Sequence, residues 1–148
     1  MTNTQFNTFI NSDFLSSIQP VYSFSRQLAL LEGRLVNVSD TPEAKQARIE
    51  YPVAVTAAVW DAYIEWTDHD NNRQGYQEMA GRLWDVLWVL RSQMKKFFNH
   101  HTFLYSFCVL PRGGYGESTQ LRQLKAVLHD DDYGNSVITI MMPNENKF

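Results

Sequence analysis

The side chains in this sequence that could do chemistry fall into a few groups, and spacing decides what each can do. Arg82 and Asp85 stand three apart, close enough to pair on a helix. Flanked by Leu83 and Trp84, they could instead present a partly desolvated charge pair to a cleft. Arg112 opens the run Arg112-Gly113-Gly114-Tyr115-Gly116, whose glycines suggest phosphate binding. A phosphate cradle leads from a strand into a helix N-terminus, whereas this run leads into another strand, so it reads as a flexible hairpin turn. Tyr105 and Tyr115, with Arg112 and Lys125, could line a small nucleotide-sized pocket at that hairpin. Arg82, Asp85, Tyr105, Arg112, Tyr115 and Lys125 are therefore the candidate binding residues.

Other groups fare less well. His100 and His101 are adjacent and cannot both face one site from a regular helix, and neither they nor His69 with Asp68 and Asp70 have the i, i+4 spacing of a helical metal pair. They read as helix-end and loop residues. Asp130-Asp131-Asp132 lacks the ligand spacing and closing Glu of a calcium loop. Cys108 is the only cysteine, which excludes an intrachain disulfide, and its place in an apolar strand pattern suggests an interior thiol. No serine sits in a G-x-S-x-G elbow. No catalytic residue, metal site or cofactor is assigned.

These residues must be positioned by the surrounding elements, which are organised around Met79–Phe98. Met79, Ala80, Leu83, Trp84, Leu87, Leu90, Met94 and Phe97 recur at steps of three and four and share a helical face. Arg82, Asp85, Ser92 and Lys96 fall opposite. Val86, Trp88 and Val89 widen the apolar part, so two sides of this helix should be covered. Before it, Phe6, Phe9, Ile10, Phe14, Leu15 and Ile18 form an apolar arm that either docks on its own body or packs on a second subunit. A helix after Pro20 runs to about Glu32, with Gly33 as its left-handed cap, and a short strand spans Arg34 to Ser39. Asp40-Thr41-Pro42-Glu43 starts a polar, exposed helix to about Ile49. Tyr51–Val55 reads as an extended connector, Thr56 caps a helix to about Thr67, and Asp68–Gln74 reads as an exposed loop. Thr102–Arg112, Thr119–Leu128 and Ser136–Met142 read as strands joined by short turns, the first of them central.

The expectation is an α+β fold, with helices packed on a C-terminal three- to four-stranded, mainly antiparallel sheet. At 148 residues it is one domain: an arm at 1–20, a mainly helical part at 22–98 with a short strand, and an antiparallel meander at 102–143. A net charge of −3 argues against general nucleic-acid or anionic-membrane binding. No apolar run approaches the roughly 20 residues of a membrane span, and no signal-peptide pattern is present, so a cytoplasmic protein is expected.

Several segments together carry a likeness: Tyr22-Ser23 with Gly33-Arg34-Leu35-Val36-Asn37-Val38-Ser39, then Tyr51-Pro52-Val53-Ala54-Val55-Thr56, Gly81-Arg82-Leu83-Trp84-Asp85-Val86-Leu87-Trp88, and the ending Ser136-Val137-Ile138-Thr139-Ile140-Met141-Met142-Pro143. From about Tyr22 to Pro143 the chain resembles an uncharacterised bacterial family of small proteins carried by plasmids, phages and integrated elements. That resemblance implies a mobile-element setting and supplies no activity. Relatives carry a carboxylate where this chain has Asn37, so acid chemistry there is not implied.

The functional expectation is an accessory protein of a mobile element, non-enzymatic, that binds a host or element protein and could self-associate through Phe6–Ile18. The alternative is a small enzyme or a nucleotide- or small-ligand-binding domain with a pocket near the first C-terminal hairpin. An exposed aromatic patch would favour the first, a closed pocket with converging polar groups the second.

Overall fold

Turn and cap chemistry shapes the first half of the fold. In a computed structural model, which describes residues 22–146, helix α1 (Tyr22–Leu31) ends at Gly33. A φ of 76° there lets the chain reverse into strand β1 (Leu35–Asn37). Thr41 caps helix α2 (Pro42–Ala47) by accepting the Ala44 N–H at 3.2 Å. That helix is less exposed than its composition suggests, because Ala44 and Ala47 are buried where it packs on the long helix. The apolar arm Phe6–Ile18, and the self-association expected of it, lie outside the described residues.

The stretch expected to be a connector is instead strand β2 (Val53–Thr56), buried along its whole length. It pairs antiparallel with β1 and parallel with the last strand. A strand covered on both faces shows no alternation, which is why four residues after a proline gave no strand signal. Thr56 then caps a single helical turn, α3 (Ala57–Val59), which loosens into a π-helical segment at Trp60–Ile64. Asp68–Gln74, expected as a loop, is helix α4. It opens with a reciprocal capping box: the Thr67 hydroxyl accepts the Asp70 N–H at 3.3 Å, and the Asp70 carboxylate accepts the Thr67 N–H at 2.8 Å. Local capping outweighs the lack of any apolar face.

The organising helix is α5 (Met79–Gln93), continued by a 3₁₀ segment at Met94–Phe98. Leu83, Val86, Leu87 and Leu90 are buried as their spacing requires, each contributing about 1.5–3 kcal/mol. Met79 and Ala80, counted on that face, are exposed, while Arg82, counted on the opposite face, is buried. Beneath α5 lie Phe103, Tyr105, Phe107, Leu124, Ala126, Ile138 and Ile140 of the three C-terminal strands. These are β3 (Thr102–Val109), β4 (Gln120–Asp130) and β5 (Ser136–Met141).

Among the described residues the sheet has five strands in the order β1-β2-β5-β4-β3, larger than expected and mixed, because β2 and β5 run parallel. Two of its strands come from the first half of the chain. β5 is central, whereas β3, expected there, is an edge; its outward Leu104 and Cys108 are exposed, so the thiol is not interior. On the face away from α5, Ala29 and Leu30 of α1 pack on Leu35 and Ala54. The Arg26 guanidinium donates to Thr139 Oγ1 at 2.7 Å. The Thr139 hydroxyl also meets His129 Nε2 at 2.7 Å, and burial pushes that imidazole down to about 4.

Candidate functional site

The structure brings three of the six candidate residues together and sets the other three apart. Arg82, Arg112 and Tyr115 gather around helix α4, near the N-terminal end of α5. Tyr105 is fully buried under α5, where its hydroxyl donates to the Val86 carbonyl at 3.4 Å and burial pushes the phenol up. Lys125 donates to the Glu145 carbonyl in the C-terminal segment. The pocket expected from these residues at the hairpin is therefore not assembled.

What Arg82 and Arg112 build is a network that fixes the hairpin to the helices. Arg82 lies over the Trp66 ring, 4.4 Å from its centroid, and donates to Gln77 Oε1 at 2.8 Å, the Leu110 carbonyl at 2.9 Å and the Ala62 carbonyl at 3.3 Å. Ala62 belongs to the last turn of the π-helical segment, whose carbonyls lack partners within the helix, and it also accepts the Arg112 N–H at 3.3 Å. Burial lowers the Arg82 guanidinium to about 10, which leaves it charged at neutral pH. Arg112 Nε donates to Asp70 Oδ2 at 2.8 Å. Burial pushes the Asp70 carboxyl up, but the Thr67 N–H and hydroxyl and the Arg112 guanidinium together hold it below its usual range. Gln74 donates to the Pro111 carbonyl and accepts the Gly113 N–H, both at 2.9 Å. The Arg73 guanidinium covers the Tyr115 ring at 4.4 Å. This constellation holds most of its charge against other side chains and backbone carbonyls and so ties the hairpin to the helices, while Arg73 Nε and Arg82 Nε are buried without a hydrogen-bond partner among the described residues. Asp70 and Gln74 fall in the stretch read as a loop, Trp66 at the end of the helix read to about Thr67 and Gln77 beside the start of the organising helix, so none was counted toward a site.

Asp85 lies one turn along α5, open to solvent on one side, and the partial covering of its carboxyl raises it despite the Arg82 charge. It does not pair with Arg82 but borders a different surface. Trp84 and Trp88 stack with ring centroids 5.3 Å apart and an interplanar angle of 15°. Trp84 packs on the core, while Trp88 is 51% exposed. Arg91 and Lys95 continue the row at helical spacing, both exposed, and Phe98 follows at 87% exposure. The spacing was visible in the sequence, but an apolar count assigns both tryptophans to the interior. Only the packing of α2 and β3 shows which side of α5 is left open.

Fold and surface together define an α+β protein with a mixed sheet covered by helices on both faces and an aromatic–basic row along α5. The chain belongs to the family of unknown function DUF6573, whose model matches residues 11–146. No curated protein and no solved structure matches it. Among the described residues no helix is long and apolar enough to cross a membrane.

Proposed function

We propose that this chain is a non-enzymatic binding protein, an accessory protein of a mobile element that holds a host or element protein, and that the outer row of α5 is its docking surface. The observation that carries this reading is Trp88: a half-exposed indole stacked on a second indole that is itself anchored in the core. Trp and Arg are enriched among the residues that carry most of the binding energy at protein interfaces: an indole buries much area with only two side-chain torsions, and a guanidinium offers a planar fork of donors. Here Trp84, Trp88 and Arg91 occupy one side of a rigid helix, with Lys95 adding charge. The fitting partner presents an apolar side chain against Trp88 with acidic residues flanking it toward Arg91 and Lys95. The mobile-element setting rests on the resemblance of the segments given above.

Comparative affinity capture from the source cell tests this reading, with the wild-type chain, Trp88→Ala and, as a surface control, Leu121→Ala. Leu121 is 67% exposed on β4. A partner retained by wild type and by the control but lost with Trp88→Ala supports the reading. Identical captured sets for all three chains would refute it.

A further inference from the structure

The row on α5 ends at a concavity of about 280 Å³ that is distinct from the network around Arg82. It forms where the turn after α2, the 3₁₀ segment and the far end of β4 meet. Arg48, Arg91 and Lys95 line it together with a single carboxylate, Glu50. Tyr51, Phe97 and Phe98 supply rings, and Leu128 and Met94 complete the apolar wall.

Three features of this concavity point to one ligand chemistry. First, among the described residues none of the three cations makes an ion pair or a side-chain hydrogen bond. Cations gathered from two separate elements, without partners of their own, repel one another and favour an anion. Second, two of them are arginines, whose planar forks suit a phosphate better than a point charge does. Arg48 stands in a left-handed backbone conformation, with φ 58°, that glycine adopts without strain; its N–H closes the turn onto the Lys45 carbonyl at 3.1 Å. Third, the walls carry rings, and Phe98 is 87% exposed with no ring of the chain stacked on it among the described residues. The volume lies just below the roughly 300–1,000 Å³ of small-molecule sites, which admits one ring system and one phosphate rather than a dinucleotide.

We infer that this concavity binds a phosphate monoester joined to an aromatic ring, the chemistry shared by a nucleoside monophosphate and a simple aryl phosphate. The phosphate lies between Arg48 and Arg91, with Lys95 adding charge, and the ring lies against Phe98 and Tyr51. This goes beyond the partner-binding reading and does not depend on it.

Isothermal titration calorimetry at low salt tests the assignment with AMP, phenyl phosphate, adenosine and inorganic phosphate. AMP or phenyl phosphate should bind, with adenosine and inorganic phosphate each at least about tenfold weaker. If AMP binds well and phenyl phosphate poorly, the ligand is a nucleotide; comparable binding identifies the simpler aryl phosphate as sufficient. Arg48→Gly, which keeps the left-handed turn, and Arg91→Ala should each weaken binding by about tenfold or more. Their melting temperatures should stay near wild type, since both side chains are exposed. Trp88→Ala should bind AMP as wild type does, and Arg48→Gly should leave partner capture intact, so this inference and the partner reading fail separately. Absence of heat from both aromatic phosphates, equal affinity for adenosine and AMP, or unchanged affinity in both arginine variants would each overturn it.

Discussion

The two ends of α5 carry similar residue types to opposite effect. At its N-terminal end Arg82 and Arg112 meet Trp66, Asp70, Gln77 and the Ala62 and Leu110 carbonyls. Toward its C-terminal end Arg91 and Lys95 stand beside Trp88 and Phe98 with no such partners among the described residues. An arginine over a tryptophan occurs at one end and an arginine one turn from a tryptophan at the other. The difference lies in whether the surrounding backbone supplies acceptors. Where helix ends and a hairpin leave carbonyls unpaired, the cations become part of the fold; where the helix surface is open, they remain available to another molecule.

That contrast can be broken by substitution, and the largest effect belongs to Arg82. Arg82→Ala leaves the Leu110 carbonyl and part of the Ala62 carbonyl without their donor and opens space beside Trp66. Chemical denaturation should show a loss of about 3 kcal/mol. Gly75→Ala should follow at about 2 kcal/mol. Its φ of 117° suits glycine, and an added Cβ would lie 1.9 Å from Glu117 Oε1, so a raised midpoint on substitution would contradict the described turn. Asp70→Asn should cost about 1 kcal/mol at neutral pH, through the capping box and the bond to Arg112.

The sign of its pH dependence sharpens the same comparison. The folded Asp70 carboxyl lies below its ordinary value of 3.8, so it stabilises the fold above that value. The contribution is lost as pH falls through the folded value. The stability gap between wild type and Asp70→Asn should therefore be constant near neutrality and close below about pH 4. At the other end of α5, Arg91→Ala should change stability by no more than about 0.5 kcal/mol, and Trp88→Ala, which gives up its stack on Trp84, should cost about 1 kcal/mol, measured by the same denaturation. A loss near that of Arg82→Ala at either position would show that the open row is structural too.

Long periodic and tightly capped elements were legible in the sequence. α5, the hairpin strands and the Gly33, Thr41 and Thr56 caps stand where spacing and turn chemistry put them. Most of what was not legible depended on partners far away in the chain; α4 is the exception, hidden because its local cap leaves no apolar period. β2 has no alternation because helices and strands cover it from both sides, and α4 has no apolar face because its stability comes from Thr67 and Asp70. Arg82 looked like surface because the acceptors that permit its burial, Ala62 and Leu110, lie 20 and 28 positions away. The central position went to β3 in the sequence because Leu104 and Cys108 are apolar, although they face outward at an edge. The pocket set Arg48, Tyr51, Arg91 and Phe98 was likewise scattered over segments read for helix ends and connectors.

The parallel pairing of β2 with β5 joins Val53 to Ile138 and Val55 to Ile140. During synthesis the first two strands leave the ribosome long before the strand that must lie between them and the β3–β4 hairpin. Until Ser136–Met141 emerges, the chain holds two unjoined half-sheets, each with an open edge beside apolar residues. The last strand to be made is the keystone of the sheet, so ribosome-stalled chains ending before Ser136 are the ones that chaperones should hold longest.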